Sequence, residues 1–202
     1  PEGNAGVQKF RKRYGLENRF VMMYSGNIGL YYDLPNLLKL IAQFQQEKEV
    51  VFAFIGEGSV LEELKEYQQK HQLENVVFIP YQEKKDLIYS LNAGDVHFVV
   101  NAKGIKGVSV PSKLYGVMAV GKPVLGIMEE GAEARLIVEE AQCGRVVSPE
   151  DYEAIRNLIR EFIQKRNSEE LACMGEKGRN YLVQHLTKDV SIKKYRDEIL
   201  SC

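Results

Sequence analysis

The sequence predicts an α/β fold: a Rossmann-like, doubly wound parallel sheet followed by a helical C-terminal segment. Three observations carry this. Short apolar runs rich in strand formers recur along the chain, amphipathic stretches of helical period lie between them, and the connections are short.

The runs are FVMMYS at Phe20–Ser25, VVFAFI at Val50–Ile55, VVFI at Val76–Ile79, VHFVV at Val96–Val100 and PVLGI at residues 123–127. They are continuously apolar rather than alternating, the pattern of strands covered on both faces. All five are therefore expected to be central and parallel. The helical stretches follow in turn. Leu37, Leu38, Ile41 and Phe44 share a face after Asp33, a candidate N-cap, with Pro35 in the first turn. Val60, Leu61, Leu64 and Tyr67 follow a candidate cap at Ser59. Leu87, Ile88 and Leu91 form the third face; Leu114, Val117 and Met118, started by Ser112, the fourth; and Leu136, Ile137 and Val138 the fifth. Gly144, Val146 and Val147 suggest one more short strand. From Pro149 onward the chain reads as helical, over residues 152–165, 168–184 and a last segment carrying Ile192, Tyr195 and Ile199.

Composition narrows the function classes. At 202 residues, 45% apolar and 27% charged, the chain is large enough for a buried core and reads as soluble globular protein. A net charge of -1 gives no electrostatic footprint for nucleic acid or an acidic membrane. The longest apolar runs are too short to span a bilayer, so no transmembrane segment is expected. No secretory signal is read in the sequence, and a chain beginning at Pro1 is expected to be a piece of a longer protein. Cys143, Cys173 and Cys202 are widely spaced, as are His71, His97 and His185, which argues against a disulfide framework and a zinc site. The expectation is a cytoplasmic protein without a metal or other cofactor.

In a doubly wound sheet ligands sit beyond the carboxyl ends of the strands, and there the composition turns unusual. Gly26, Asn27, Ile28 and Gly29 follow the first strand. Two glycines let the backbone approach a ligand with N–H groups open to phosphate, although the full dinucleotide fingerprint is absent, with Tyr31 or Tyr32 at the third glycine position. A tight turn alone accounts for them equally well. Gly56, Glu57 and Gly58 follow the second strand, and Glu57 can accept from sugar hydroxyls or simply be a solvated turn residue. Pro80 and Tyr81 follow the third, where a flat aromatic can meet a base or just pack. Residues 101–113, NAKGIKGVSVPSK, hold Lys103, Lys106 and Lys113 and run into a helix start at Ser112; a phosphate there meets the helix dipole, N–H groups and a lysine together. Otherwise the stretch is a surface loop with solvated lysines. Glu129, Glu130 and Gly131 follow the fifth strand, with Glu133 at a helix start, where a carboxylate is also an ordinary dipole partner.

Taken in order, these segments resemble the carboxyl-terminal domain of the GT-B-fold glycosyltransferases of group 1, also called family 4, which includes many polysaccharide and lipopolysaccharide enzymes. YSGNIG at residues 24–29, FIGEGSVLEEL at 54–64, NVVFIPY at 75–81, PSKLYGVMAVGKPV at 111–124 and GAEARLIVEEAQCGRVVSPED at 131–151 carry the resemblance over nearly the whole chain. It implies one half of a GT-B fold, the half that holds the activated sugar. Residues 1–19 would then be the interdomain connection and first helix, residues 20–202 the nucleotide-sugar-binding domain, and an amino-terminal acceptor domain would be missing. The implied donor contacts are Gly26, Asn27 and Gly29 in the first loop and Gly56, Glu57 and Gly58 in the second. Ile79 and Tyr81 would border the base, and Ser109, Pro111, Ser112, Lys113 and Tyr115 would follow the fourth strand, with Glu133 beyond the fifth. The implied chemistry is transfer from a nucleoside diphosphate sugar, UDP by family weight, to a polysaccharide or lipid-linked acceptor, with retention of anomeric configuration and no metal. Peripheral attachment to the cytoplasmic face of a membrane would come through the missing domain.

The sequence also departs from that family. Its usual pair of glutamates falls here on Val108 and Gly116, and the basic residues common after the first glycine loop are replaced by LYYD at residues 30–33. A subgroup with PSK in the loop is closer, and there Lys113 and Ser112 are the natural diphosphate contacts. No residue stands out as a catalytic base. The alternatives are a degenerate, non-catalytic scaffold domain, which the lost glutamates favour and the glycine loops oppose, and an epimerase of the same fold, which a histidine-poor cleft supports little.

Overall fold

The structure, a computed structural model, describes residues 2–105 and 112–186. Strands and helices alternate in chain order. The first half runs α1 (Glu2–Arg13), β1 (Phe20–Ser25), α2 (Leu34–Ile41), β2 (Val50–Ile55), α3 (Leu61–Lys70), β3 (Val76–Ile79) and α4 (Leu87–Ala93). The second runs β4 (Val96–Val100), α5 (Ser112–Ala119), β5 (Val124–Ile127), α6 (Glu133–Ala141), β6 (Gly144–Val147), α7 (Tyr152–Gln164) and α8 (Glu169–His185). The six strands form one parallel sheet in the order β3-β2-β1-β4-β5-β6. β1 pairs with β2 over its full length and with β4 through Met22 and Met23. The chain winds outward from β1 to β3, then returns to the other side of β1, so the switch point of the doubly wound sheet lies between β1 and β4.

Both faces of the sheet are covered, as continuous apolarity predicts. Successive residues of β1 point to opposite faces. Met22 and Tyr24 join Phe52, Phe54 and Phe98 in a layer packed under Leu38 and Ile41 of α2 and Ile159 and Phe162 of α7. Val21 and Met23 join Val51, Ala53 and Phe10 of α1 on the other face. A third cluster, Val99, Leu114, Met118, Val138 and Cys143, closes the sheet under α5 and α6. At the amino edge, Asp95 accepts from the Val21 N–H at 2.8 Å and from Arg11 at 3.0 Å, tying α1 to the start of the sheet.

Several sequence expectations are corrected. β3 is an edge strand, not a central one, and its Val77 and Phe78 are only half-buried; four residues of unbroken apolarity do not distinguish an edge from a centre. Asp33 holds the N-cap position of α2, but in a left-handed conformation, φ 48°, and its side chain caps none of the helix's backbone N–H groups. Its carboxylate accepts instead from Asn36 Nδ2 and Tyr152 Oη at 2.8 and 3.1 Å. The cap of α3 is Val60 rather than Ser59, because the Val60 N–H donates to Ile28 O at 3.1 Å and so fixes where the helix begins. Ser112 is the first residue of α5. Ile88 and Leu136, read as core-facing, are exposed. The segment with Ile192, Tyr195 and Ile199 lies outside the described residues.

One buried group predicts a pH response. His97 on β4 is fully buried and its Nε2 lies 2.9 Å from Leu91 O. Burial pushes its pKa down to about 4; the Leu91 carbonyl opposes this and the nearby Lys122 charge adds to it. The unfolded chain therefore binds more protons between pH 6.5 and 4, so the stability is complete above the unfolded value and is lost as pH falls through that window. Urea denaturation should show about 1–2 kcal/mol lost between neutrality and about pH 5. His97→Gln, which keeps a donor for Leu91 O, should flatten that slope.

Candidate functional site

Three of the loops singled out by sequence meet at the carboxyl edge beside the switch point. The turn after β1 and the turn after β2 are packed backbone to backbone. Gly26 N donates to Ile55 O at 2.9 Å and Ile28 N to Glu57 O at 2.8 Å. A Cβ on Gly56 would stand 1.9 Å from Gly26 O, and one on Gly58 would stand 2.2 Å from Ile28 O. Both glycines have positive φ, 140° and 157°, so side chains are excluded by space and by conformation. The packing also revises the first loop's role. Two of its N–H groups are committed to the neighbouring turn, leaving those of Asn27 and Gly29 as its remaining donors toward a ligand.

Lys113, in the first turn of α5, reaches across to this pair of loops. Its Cε lies 2.4 Å from where a Cβ on Gly26 would stand, another reason why that position is glycine. The ammonium donates to Tyr24 Oη at 2.8 Å and sits 3.4 Å from the Tyr32 ring centroid and 4.8 Å from that of Tyr24. Tyr24 Oη in turn donates to Asn27 O at 2.6 Å, so lysine, tyrosine and glycine loop form one hydrogen-bonded line. No carboxylate among the described residues pairs with the ammonium. Burial lowers the Lys113 pKa to about 8 and raises that of Tyr24. Lys113 is therefore a half-buried cation held by aromatic faces and one hydroxyl, with donor capacity left over.

A cavity of about 230 Å³ opens beside it. Gly26 and Gly56 form one wall, Ser112, Lys113, Gly116 and Val117 of α5 another, and Tyr81, Gln82, Leu87 and Leu91 a third. Among the described residues no Asp or Glu lines it. At Gly116 a Cβ would meet only Leu91 Cδ1, at 3.4 Å, so this helix position is open space toward the cavity.

The other predicted site residues are placed less tightly. Glu57, Ser112 and Tyr81 are exposed, Tyr81 at the cavity mouth. The Ile79 side chain is buried in the core, and its carbonyl accepts from Gly56 N at 3.1 Å. Tyr115 and Glu133 lie near one another, the Tyr115 pKa being raised by burial and by the Glu133 charge, but neither lines this cavity. Lys103 is exposed and paired with Glu150 at 2.9 Å. Ser109, Pro111, Lys106 and Val108 lie outside the described residues. Sequence reasoning did not single out Tyr24, Tyr32, Leu87, Leu91 or Gln82 as part of the site; a tyrosine within a strand run reads as core. Among the described residues no three His, Cys, Asp or Glu side chains gather as a metal site.

Comparison with known proteins gives a consistent result. Residues 7–181 match the family described as glycosyl transferases group 1. The chain is 33% identical over 178 residues to "Probable glycosyltransferase WbjE" of Pseudomonas aeruginosa, covering 87% of this chain and 42% of that protein. It is 29% identical to WcaI of Escherichia coli (strain K12), named for colanic acid biosynthesis, covering 97% of this chain and 47% of that protein. The chain thus spans less than half the length of these curated relatives. Among solved structures, Anabaena Alr3699/HepE in complex with UDP and glucose superposes with a TM-score of 0.78 at 20% identity, covering 98% of this chain and 52% of that one. The C-terminal domain of the Francisella tularensis group 1 family protein LpcC superposes with a TM-score of 0.73 at 16% identity, covering 91% of this chain and 92% of that one. The fold is thus the Rossmann-like half of a GT-B glycosyltransferase.

Proposed function

Because this chain belongs to the glycosyl transferases group 1 family, we propose that it is the donor-binding half of a two-domain enzyme, residues 20–202 holding a nucleoside diphosphate sugar and residues 1–19 leading from an acceptor domain. The observation that carries this reading is Lys113, an ammonium with no carboxylate partner among the described residues, drawn against the Gly26 loop over a cavity at the switch point. In that reading the diphosphate lies between Lys113, the start of α5 and the first glycine loop, and the nucleoside enters the cavity toward Tyr81. HepE, of the same fold, binds UDP, which supports UDP as the nucleotide.

The chemistry follows from where charge grows. As the anomeric bond breaks, negative charge accumulates on the leaving diphosphate, and a prepositioned ammonium and helix N-terminus stabilise it there more than in the ground state. Retention of configuration, and a polysaccharide or lipid-linked acceptor held by a domain at the cytoplasmic face of a membrane, belong to the same proposal. The isolated chain should bind donor but transfer nothing, since in this reading the acceptor site lies on the other domain. A second reading, a non-catalytic binding module, is favoured by the cavity wall's having no carboxylate among the described residues.

Calorimetry with UDP, GDP, ADP, CDP and UDP-glucose tests the proposal. Saturable binding, with UDP preferred and no transfer by the chain alone, is expected. If no nucleotide binds, the scaffold reading replaces it; if the chain alone turns over donor onto an acceptor, the division of labour between domains is wrong.

A further inference from the structure

A second charged concavity lies at the opposite, amino edge of the sheet, remote from the loops described above. Phe20 at the start of β1, Asp95 before β4 and residues 120–123 before β5 help to line a cavity of about 870 Å³, closed on its far side by the start of α8. Its charges do not cancel. Arg11 pairs with Asp95 at 3.0 Å and Arg166 with Glu49 at 2.7 Å. That leaves Arg19, Lys122 and Arg179 facing a single carboxylate, Glu176, with no ion pair to any of the four among the described residues.

Each of the three cations has unused capacity. Arg19 donates one Nη2 bond to Val50 O at 3.2 Å, while its Nε is buried with no partner. Lys122 is half-buried; burial lowers its pKa, with Asp95 acting in the opposite direction. Arg179 leans on the turn that carries Lys122, its Cδ 3.8 Å from where a Cβ on Gly121 would stand. Ser168, on the same wall, makes no side-chain capping bond. Arg19 and Lys122 are partly desolvated and Arg179 is exposed beside them; unpaired cations gathered on one roomy concavity are costly unless an anion completes them, and planar guanidinium forks suit phosphate oxygens.

We infer that this amino-edge cavity is a second anion site, taking a phosphorylated ligand with at least two negative charges, held by Arg19, Lys122 and Arg179. The chemistry is that of a diphosphate or phosphate ester, whether free in solution or on a lipid headgroup. The site is independent of donor binding at the other edge.

Inorganic diphosphate is the probe, titrated calorimetrically into the chain with UDP in excess. Lys122→Gln with Arg179→Gln should weaken its binding roughly 100-fold, about ten-fold per charge-assisted contact. Lys113→Ala should leave it unchanged, and so should Lys122→Arg, which keeps the charge. Urea denaturation of the double variant checks that it folds; if it does not, the two single variants are each expected to show the ten-fold loss. Sedimentation with phosphatidylcholine vesicles, with and without phosphatidylglycerol, separates the sources. Binding to the anionic vesicles that is lost in the double variant identifies a headgroup, whereas diphosphate binding without vesicle binding identifies a soluble ligand. The inference is overturned if the parent chain binds neither probe, if the double variant binds like the parent, or if Lys113→Ala is the change that removes binding.

Discussion

Gly56→Ala is expected to destabilise the chain by more than about 4 kcal/mol, enough to unfold it in many conditions. Two independent penalties coincide at this residue. Its φ of 140° is closed to alanine, and the added Cβ would stand 1.9 Å from Gly26 O. The obstacle is backbone, so no rotamer change relieves it. Nor can the carbonyl retreat easily: Gly26 N is bonded to Ile55 O at 2.9 Å, Gly56 N to Ile79 O at 3.1 Å, and Lys113 Cε fills the space on the other side of Gly26. Any shift must therefore break the ends of the β1–β2–β3 ladder. Two controls separate the terms. Gly104→Ala, with φ 86° and nothing within 4 Å, carries only the conformational penalty, about 1 kcal/mol. Gly116→Ala, whose Cβ would meet only Leu91 Cδ1 at 3.4 Å, should be nearly neutral. Urea denaturation of the three variants checks the order; a Gly56→Ala chain no weaker than Gly104→Ala would mean the two loops are not packed as described.

The contrast between these glycines also marks what could be read in the sequence. Gly26, Gly56, Gly58 and Lys113 are recognisable as site candidates because a doubly wound sheet gathers the residues that follow its strands at one edge. What those glycines do is not recognisable: Gly56 and Gly58 make room for the neighbouring turn, and Gly26 makes room for a lysine from α5. The aromatic enclosure of Lys113 is hidden for the same reason. Tyr24 sits inside an apolar run and Tyr32 in the turn after the first glycine loop, and no local spacing pairs either with a residue on a helix after β4. The sheet itself is legible from β1, β2, β4 and β5, whose unbroken apolarity matches burial on both faces. β3 has the same signature at the edge, since edge or centre is decided by where the chain turns back. Asp33 is the N-cap of α2 as read, but its carboxylate is drawn to Tyr152, and the cap of α3 moves from Ser59 to Val60 through the bond to Ile28, so tertiary bonds outweigh local preference.

Lys113→Ala is expected to weaken UDP-glucose binding by about 1.5–3 kcal/mol, the range for a hydrogen bond to a charged group, and Lys106→Ala by much less. The first glycine loop carries no lysine or arginine, and Lys103 is engaged by Glu150, so Lys113 is the cation already in place at the switch point. Its burial makes a second, opposite effect measurable. The folded-state pKa, about 8, lies below the unfolded value of 10.5. The unfolded chain therefore binds more protons between these values, and holding the charge inside the fold costs stability below about pH 8, a cost that fades as pH rises toward 10.5. The contacts with Tyr24 and Tyr32 offset part of it. Lys113→Met, which keeps the stem and removes the charge, should therefore raise the ligand-free stability by about 1 kcal/mol while weakening the donor as much as alanine does. The donor's diphosphate stays ionised throughout this range, so affinity in the parent chain should decline above about pH 8, by up to about ten-fold per unit, as the free lysine loses its proton. In Lys113→Met that decline should vanish. Calorimetry on the parent, Lys113→Ala, Lys113→Met and Lys106→Ala at two pH values reads all of these together. Equal losses at Lys113 and Lys106, or a pH dependence that survives in Lys113→Met, would move the diphosphate away from the cation between the two tyrosines.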